Sequence, residues 1–269
     1  MQIRYTDFRC VITLALCLGF VAGLASAAET NPEGRRYMQS ANPLAAVQQA
    51  LERAEESNRL LLVVAGANWC HDSRALASRL GHSPLADLIQ DHYELVFVSV
   101  GYYSQGRDVM RRFGVAHYYA TPTVLIIDPA NGQLINEEDR HQWINAYNID
   151  MPASVRYFEK WLERDSTAEP VVDSAELRQL NLEIDEFEQQ LADRLVAGYA
   201  VVGPMLEATD ADNKPDGFDA SWAELRKFRG AIPAAIHELR VDARQRVAAG
   251  EQNVELTYPE FAPLSWESR

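Results

Sequence analysis

Cysteine is scarce in this chain of 269 residues, which contains only three. Two of them, Cys10 and Cys17, lie in an apolar N-terminal segment, so Cys70 is alone in the rest of the chain. A protein left with one cysteine cannot form an internal disulfide bond. The fold must therefore be stable without one, and Cys70 is either buried, paired with another molecule or used chemically.

Several motifs that carry chemistry are also missing. The six histidines show no His-x-x-x-His spacing, and no Cys-x-x-Cys pair occurs, so neither a metal nor a cofactor is predicted. A glycine-rich phosphate loop and the Gly-x-Ser-x-Gly elbow of serine hydrolases are absent. Basic residues are few, with 25 Lys and Arg against 39 Asp and Glu and a net charge of −14. This balance argues against nucleic acid and anionic membranes as partners.

The first 27 residues are predicted to be a secretory signal peptide. Arg4 and Arg9 precede an apolar run from Val11 to Leu24, and Ala25-Ser26-Ala27 forms an Ala-x-Ala cleavage site. The run is short for a membrane span. We therefore expect a periplasmic or secreted protein that is not embedded in the membrane, with residues 28–42 as a polar linker after the cleavage site.

Apolar patterns between residues 43 and 165 predict an α/β domain. Its first helix is expected to begin at Pro43, with Asn42 as the N-cap. The predicted strands cover residues 59–65, 94–100, 122–128 and 133–136. The last two are joined by Asn131-Gly132, a typical hairpin turn. Strands and helices alternate along this segment, as an α/β domain requires.

The segment from Leu61 to Leu76 carries the strongest chemical signal. It begins as an apolar run typical of a strand buried on both faces and continues with helical spacing, with Cys70 at the turn. The free N–H groups and the dipole of a helix start stabilise a thiolate, the reactive form of cysteine. The sequence therefore predicts that Cys70 is exposed at the turn and is the candidate nucleophile.

Charged neighbours of Cys70 have opposite effects on the stability of its thiolate. Asp72 would repel a thiolate by roughly 1–3 kcal/mol at about 6 Å. A protonated His71 and the nearby Arg74 would stabilise it. These effects are of similar size, so the reactivity of Cys70 stays open at this point.

Trp69-Cys70-x-x-Ser73, at a strand-to-helix junction, resembles the active-site turn of the thioredoxin superfamily, with serine in place of the second cysteine. Further along, Ala120-Thr121-Pro122 and the apolar residues after it resemble the Thr-Pro segment that leads into a central strand of that family. The resemblance implies a thioredoxin-like fold over residues 43–165, with a central mixed sheet flanked by helices. It also implies that Pro122 is cis and faces the cysteine.

The resemblance assigns candidate roles to six residues. The catalytic candidates are Cys70, His71 and Ser73, and the substrate-binding candidates are Trp69, Thr121 and Pro122. Serine cannot resolve a mixed disulfide, so an external thiol would have to do so. The buried acid that serves the second cysteine in typical members is also absent, because Val64 stands at that position.

Three functions remain open. The first is exchange or isomerisation of disulfides through Cys70, acting on protein thiols or disulfides, with glutathione or another external thiol as the resolving partner. The second is a binding module that uses the Thr121-Pro122 groove without catalysis. The third is a peroxide-sensing or peroxidase role, in which Cys70 forms a sulfenic acid. Tyr102, Tyr103, Tyr118 and Tyr119 are candidates for lining a groove, although aromatic residues in loops more often pack locally.

Residues 174–250 are predicted to form a helical hairpin. Apolar residues recur there at steps of three and four, as two amphipathic helices need, and a turn-rich segment at 210–217 separates them. A kink is expected near Pro233. The helices are expected to pack on each other or on the first domain, and residues 251–269 form a C-terminal tail.

Overall fold

The computed structural model describes residues 36–137, 139–163 and 174–267, apart from the side chains of Arg140 and His141. The predicted signal peptide and most of the predicted linker lie outside these residues. The helices are α1 (Pro43–Glu56), α2 (His71–Arg79), α3 (Leu85–His92), α4 (Arg107–Arg112), α5 (Met151–Glu159), α6 (Ala175–Asp210) and α7 (Phe218–Ala248). The strands are β1 (Leu60–Gly66), β2 (Tyr93–Ser99), β3 (Thr123–Asp128) and β4 (Gln133–Leu134), and a broken 3-10 segment spans Arg140–Asn148.

The four strands form one mixed sheet in the order β2-β1-β3-β4. β1 pairs in parallel with β2 and antiparallel with β3, and β3 pairs antiparallel with β4. Every residue of β1 is buried, as its apolar run predicts. In the register of β1 and β3, Ala65 lies opposite Thr123. The C-terminal end of β1 and the start of β3 therefore lie side by side at the same end of the sheet.

The first helix starts with the predicted cap. The side chain of Asn42 accepts a hydrogen bond from the Ala45 N–H at 3.0 Å, and Pro43 occupies the first turn of α1. α5 begins in the same way, with Asp150 accepting from the Ala153 N–H at 2.8 Å. Each cap satisfies one of the free N–H groups at the start of its helix.

Two apolar clusters cover the two faces of the sheet. One cluster joins β1 and β3 to α2, α3 and α5. The other includes α1, α4 and the buried faces of both α6 and α7. The helical hairpin thus packs on itself and also shares a core with the α/β domain. The predicted fold, a mixed sheet flanked by helices and followed by a helical hairpin, is confirmed.

Aromatic contacts join α6 to the domain. The Tyr199 ring stacks on Tyr103 with 4.2 Å between ring centroids, and its hydroxyl donates to the Tyr118 carbonyl oxygen at 3.0 Å. Nearby, the Tyr119 hydroxyl donates to the buried Glu188 carboxylate at 2.8 Å. Although α6 and α7 are long, neither they nor any other helix of the described chain is apolar enough to cross a membrane.

His117 lies in this contact between the domain and α6. It is 3% exposed, and its Nδ1 is 3.2 Å from the Tyr118 carbonyl oxygen. Burial lowers the pKa of His117 to about 4, which the hydrogen bond to Tyr118 opposes. Arg107 and Arg111 lower the pKa further, and Asp193 on α6 raises it.

Stability is therefore expected to fall as the pH drops from about 6.5 towards 4. In this range an unfolded histidine takes up a proton that the buried His117 does not, so protons favour the unfolded chain. With a folded-state pKa of about 4, the loss at about pH 4.5 amounts to roughly 2–3 kcal/mol.

Urea unfolding of wild type and His117→Gln at several pH values would measure this loss. The carboxylates titrate in both proteins, so the difference between their pH profiles reports on the histidine. The variant should lose less stability on acidification. Parallel profiles would contradict the expectation.

Candidate active site

Cys70 lies in the turn between β1 and α2, directly before the first helical residue. Its N–H donates to the Ala67 carbonyl oxygen at 3.2 Å, and its own carbonyl accepts from the Arg74 N–H at 3.1 Å. The strand ends at Gly66, where a Cβ would lie 2.7 Å from the Tyr37 ring. A larger residue would not fit at this position, so the turn is tightly packed where it leaves the sheet.

Thr121 and Pro122 face Cys70 at the end of the sheet where β1 ends and β3 begins. The Cys70 thiol donates a hydrogen bond to the Thr121 carbonyl oxygen, with 3.1 Å between sulfur and oxygen. The Thr121–Pro122 peptide bond is cis, as the resemblance implies. The antiparallel pairing of β1 and β3 brings together these two motifs, which are 51 positions apart.

Cys70 is less accessible than its position at a helix start predicts, and the helical hairpin packs beside its turn. Its exposed fraction is 8%. Trp222 of α7 packs edge-on against the ring of Trp69, with centroids 6.3 Å apart. Trp69 is fixed in turn by a hydrogen bond from its Nε1 to the Gly101 carbonyl oxygen at 2.9 Å. The sequence did not show that a distant helix covers the turn.

Ser73 stabilises the turn. It is fully buried, and its hydroxyl accepts a hydrogen bond from the Ala67 N–H at 3.3 Å. Its carbonyl oxygen accepts from the Tyr37 hydroxyl at 3.0 Å. Val64, which stands where the family carries an acid, is buried in β1 opposite Val124. The hydrogen bonds of Ser73 therefore give it a structural role in the turn next to Cys70.

Tyr37 belongs to the site but was missed in the sequence, where it falls within the predicted linker. It is 2% exposed, and its N–H and carbonyl exchange hydrogen bonds with the side chain of Asn68 at 3.3 and 2.9 Å. Burial, with a smaller contribution from Cys70, raises the pKa of the Tyr37 hydroxyl, which thus remains a donor to Ser73. The only sign in the sequence that this segment packs against the domain is one tyrosine among polar residues.

His71 and Asp72 form a pair at the start of α2. The His71 Nε2 lies 3.1 Å from an Asp72 oxygen, and 66% of the His71 side chain is exposed. The other Asp72 oxygen accepts a hydrogen bond from the Tyr147 N–H at 2.8 Å. The carboxylate therefore joins α2 to the 3-10 segment, while the imidazole faces solvent.

Arg229 lines the site, and Tyr103 packs behind Trp69. Tyr103 is 6% exposed and packs against Trp69, with ring centroids 5.2 Å apart. Arg229 of α7 donates to the Tyr103 hydroxyl, and its guanidinium lies 5.4 Å from the ring centroids of both Tyr103 and Trp222. Burial raises the pKa of Tyr103, although Arg229 acts in the opposite direction. Among the four tyrosines considered from the sequence, Tyr103, Tyr118 and Tyr119 are core residues.

A cleft of about 450 Å³ opens onto Cys70 between the domain and the hairpin. Its domain side is formed by Trp69, Cys70, His71, Asp72, Thr121 and Ile144. Its hairpin side is formed by Leu206, Thr209, Phe218, Trp222, Arg226, Arg229 and Gly230. All six candidates from the sequence thus lie in or beside one site, and Cys70 lines its cleft. Nowhere in the described chain do three or more His, Cys, Asp or Glu side chains gather as a metal site would need.

Known proteins resemble the segment that contains this site. Residues 42–129, which include the Cys70 turn and the Thr121-Pro122 segment, match a family model described as thioredoxin-like. The solved structure of a disulphide isomerase from Xylella fastidiosa Temecula1 is 26% identical, over 47% of this chain and 96% of that one, with a TM-score of 0.44. No curated protein matches the sequence. With its mixed sheet, its cysteine turn and the opposing cis-proline, this segment is a thioredoxin-like domain, which the helical hairpin follows.

Proposed function

We propose that this protein exchanges thiols and disulfides through Cys70 and that an external thiol completes each cycle. The observation that carries the proposal is the position of Cys70 at the start of α2, 3.1 Å from the Thr121 carbonyl oxygen and open to a cleft. A thiolate at a helix N-terminus is stabilised by the free N–H groups and the dipole of the helix. The other two cysteines, Cys10 and Cys17, lie in the predicted signal peptide.

The reaction needs two exchange steps. The Cys70 thiol first loses its proton to solvent in the cleft, and its sulfur attacks one sulfur of a disulfide. A Cys70–sulfur bond forms, the substrate disulfide breaks, and the leaving thiolate takes up a proton. An external thiol, after losing its own proton, attacks the substrate sulfur of the mixed disulfide. A new disulfide forms between that thiol and the substrate, the bond to Cys70 breaks, and Cys70 leaves as a thiolate. The protein itself is neither oxidised nor reduced overall, which suits exchange or isomerisation.

The residues around Cys70 have distinct roles in this scheme. Thr121 and Pro122 form the wall along which an extended substrate lies beside the sulfur. Trp69, held by Gly101, shields the sulfur from one side. His71 faces solvent at the mouth of the cleft, where it can accept or return a proton.

An exported location is part of the proposal and rests on residues 1–27. In an oxidising compartment both disulfides and small thiols are available to an unpaired cysteine. A protein without a resolving cysteine needs both of them. The location and the single-cysteine cycle therefore support each other.

The test compares wild type with Cys70→Ala. Wild type should form a mixed disulfide at Cys70 with a small disulfide, seen as a mass increase that a reductant reverses. In the presence of a small thiol it should also rearrange a protein with scrambled disulfides at least about tenfold faster than the variant, because covalent catalysis needs the sulfur. Circular dichroism would show that both proteins are folded. Equal rates would contradict the proposal and favour a non-catalytic binding module.

A further inference from the structure

The cleft at Cys70 has the dimensions of a small-molecule site. Its volume of about 450 Å³ falls within the range of roughly 300–1,000 Å³ that is usual for ligand pockets. Leu206, Phe218 and Trp222 supply an apolar lining on the hairpin side. Cys70 as a whole is only 8% exposed, which favours a narrow ligand over a broad protein surface.

The hairpin side of this cleft is positively charged, although the protein as a whole carries a net charge of −14. Its only ionisable residues are Arg226 and Arg229. They lie three positions apart on α7, so they share one face of the helix with Trp222. The only acid in the lining is Asp72, which already accepts the Tyr147 N–H and contacts His71.

The two arginines differ in their availability. Arg229 is held by the Tyr103 hydroxyl and lies over the rings of Tyr103 and Trp222. Arg226 is exposed, and no residue of the described chain forms a hydrogen bond or an ion pair with it. A guanidinium is well shaped to bind a carboxylate with two parallel hydrogen bonds. Arg226 therefore offers a free anion-binding group in the cleft that contains the reactive sulfur.

We propose that this cleft binds a low-molecular-weight thiol or disulfide that carries a carboxylate, and that Arg226 pairs with that carboxylate while the sulfur of the ligand meets Cys70. Arg229 adds positive charge to the same wall from its fixed position. This inference rests on the proposed function, because it names the small partner that the exchange reaction requires. The specificity then comes from the hairpin, and the chemistry from the thioredoxin-like domain.

Alkylation of Cys70 by iodoacetate and by iodoacetamide tests the inference without requiring exchange activity. The two reagents are similar in size, but only iodoacetate is anionic. In the folded wild type, the ratio of the iodoacetate rate to the iodoacetamide rate should exceed the ratio in urea-unfolded protein by about three- to tenfold, the size expected for one nearby charge.

Arg226→Gln should remove most of this preference. Lys227→Gln is the matched control, because it removes the same charge from the next position of α7, and Lys227 does not line the cleft. The control should keep the wild-type ratio within about twofold.

A second measurement uses three disulfides of similar length. Mixed-disulfide formation at Cys70 should be fastest with anionic 3,3′-dithiodipropionate, slower with neutral bis(2-hydroxyethyl) disulfide and slowest with cationic cystamine. Arg226→Gln should reduce this order, and Lys227→Gln should not.

Three results would overturn the inference: no preference for iodoacetate in wild type, an equal preference in Arg226→Gln, or no alkylation of the folded protein by either reagent. Exchange with the neutral disulfide but no charge preference would leave the proposed function standing while the inference fails. A charge preference without any exchange would show that the cleft favours anions near Cys70, while the proposed exchange reaction fails.

Discussion

A chain that ends at Glu163 is expected to lose at least about 5 kcal/mol of folding stability, which would leave much of it unfolded or aggregated at room temperature. Removal of the hairpin uncovers Tyr103, Tyr118 and Tyr119, which are 6%, 1% and 1% exposed in the full chain. Burying one large side chain contributes roughly 1.5–3 kcal/mol, so the three together account for about 5–9 kcal/mol. This sum equals or exceeds the stability of many domains.

Urea unfolding followed by circular dichroism would measure the effect, with the chain of residues 28–269 as the reference. The truncated chain should show either no cooperative transition or one at much lower urea. It should also expose the sulfur, so that Cys70 is alkylated at close to the rate of unfolded protein. A truncated chain with nearly the same midpoint and a slow alkylation rate would show that the domain does not depend on the hairpin.

Gly203→Ala is expected to destabilise the protein by about 3 kcal/mol. Gly203 of α6 lies against the loop that follows β2, and a Cβ at this position would be 2.2 Å from the Tyr102 carbonyl oxygen. That atom belongs to the backbone, so either the helix or the loop has to move. The higher helix propensity of alanine returns only about 1 kcal/mol. A shift of the loop would also disturb Trp69, which stacks on Tyr102.

Gly230→Ala is the matched control for this substitution. Gly230 also lies within a helix, but no atom is within 4 Å of the position that its Cβ would take. Alanine there should stabilise the protein by up to about 1 kcal/mol through helix propensity alone. Urea unfolding of both variants and wild type under the same conditions would separate the two effects. If Gly203→Ala were as stable as wild type, α6 could not approach the loop as closely as the structure shows.

Much of the domain could be predicted from the sequence because its signals are local. The apolar run before Cys70 indicates a buried strand, and Asn42-Pro43 gives a helix start that the structure confirms. The Thr121-Pro122 segment could be placed because a known family carries the same pattern beside its cysteine. In each case a few neighbouring residues contain the whole signal.

The covering of the site could not be predicted, because its contacts join distant parts of the chain. The apolar stripe of α7 shows that one face of the helix is buried, but it does not show against which surface. Arg229 contacts Tyr103 across 126 positions, and Tyr37 reaches Ser73 across 36. Neither pair has a sequence pattern, since an arginine and a tyrosine are ordinary surface residues until a partner is known.

The contribution of both ends of the described chain to the site affects the order in which it is completed. Tyr37 and β1 are synthesised early, whereas Arg229 belongs to the last helix. Cys70 is therefore uncovered on the growing chain and becomes shielded only after α7 has been made. The stage of biosynthesis, as well as the chemistry of the turn, thus determines which molecules this sulfur can meet.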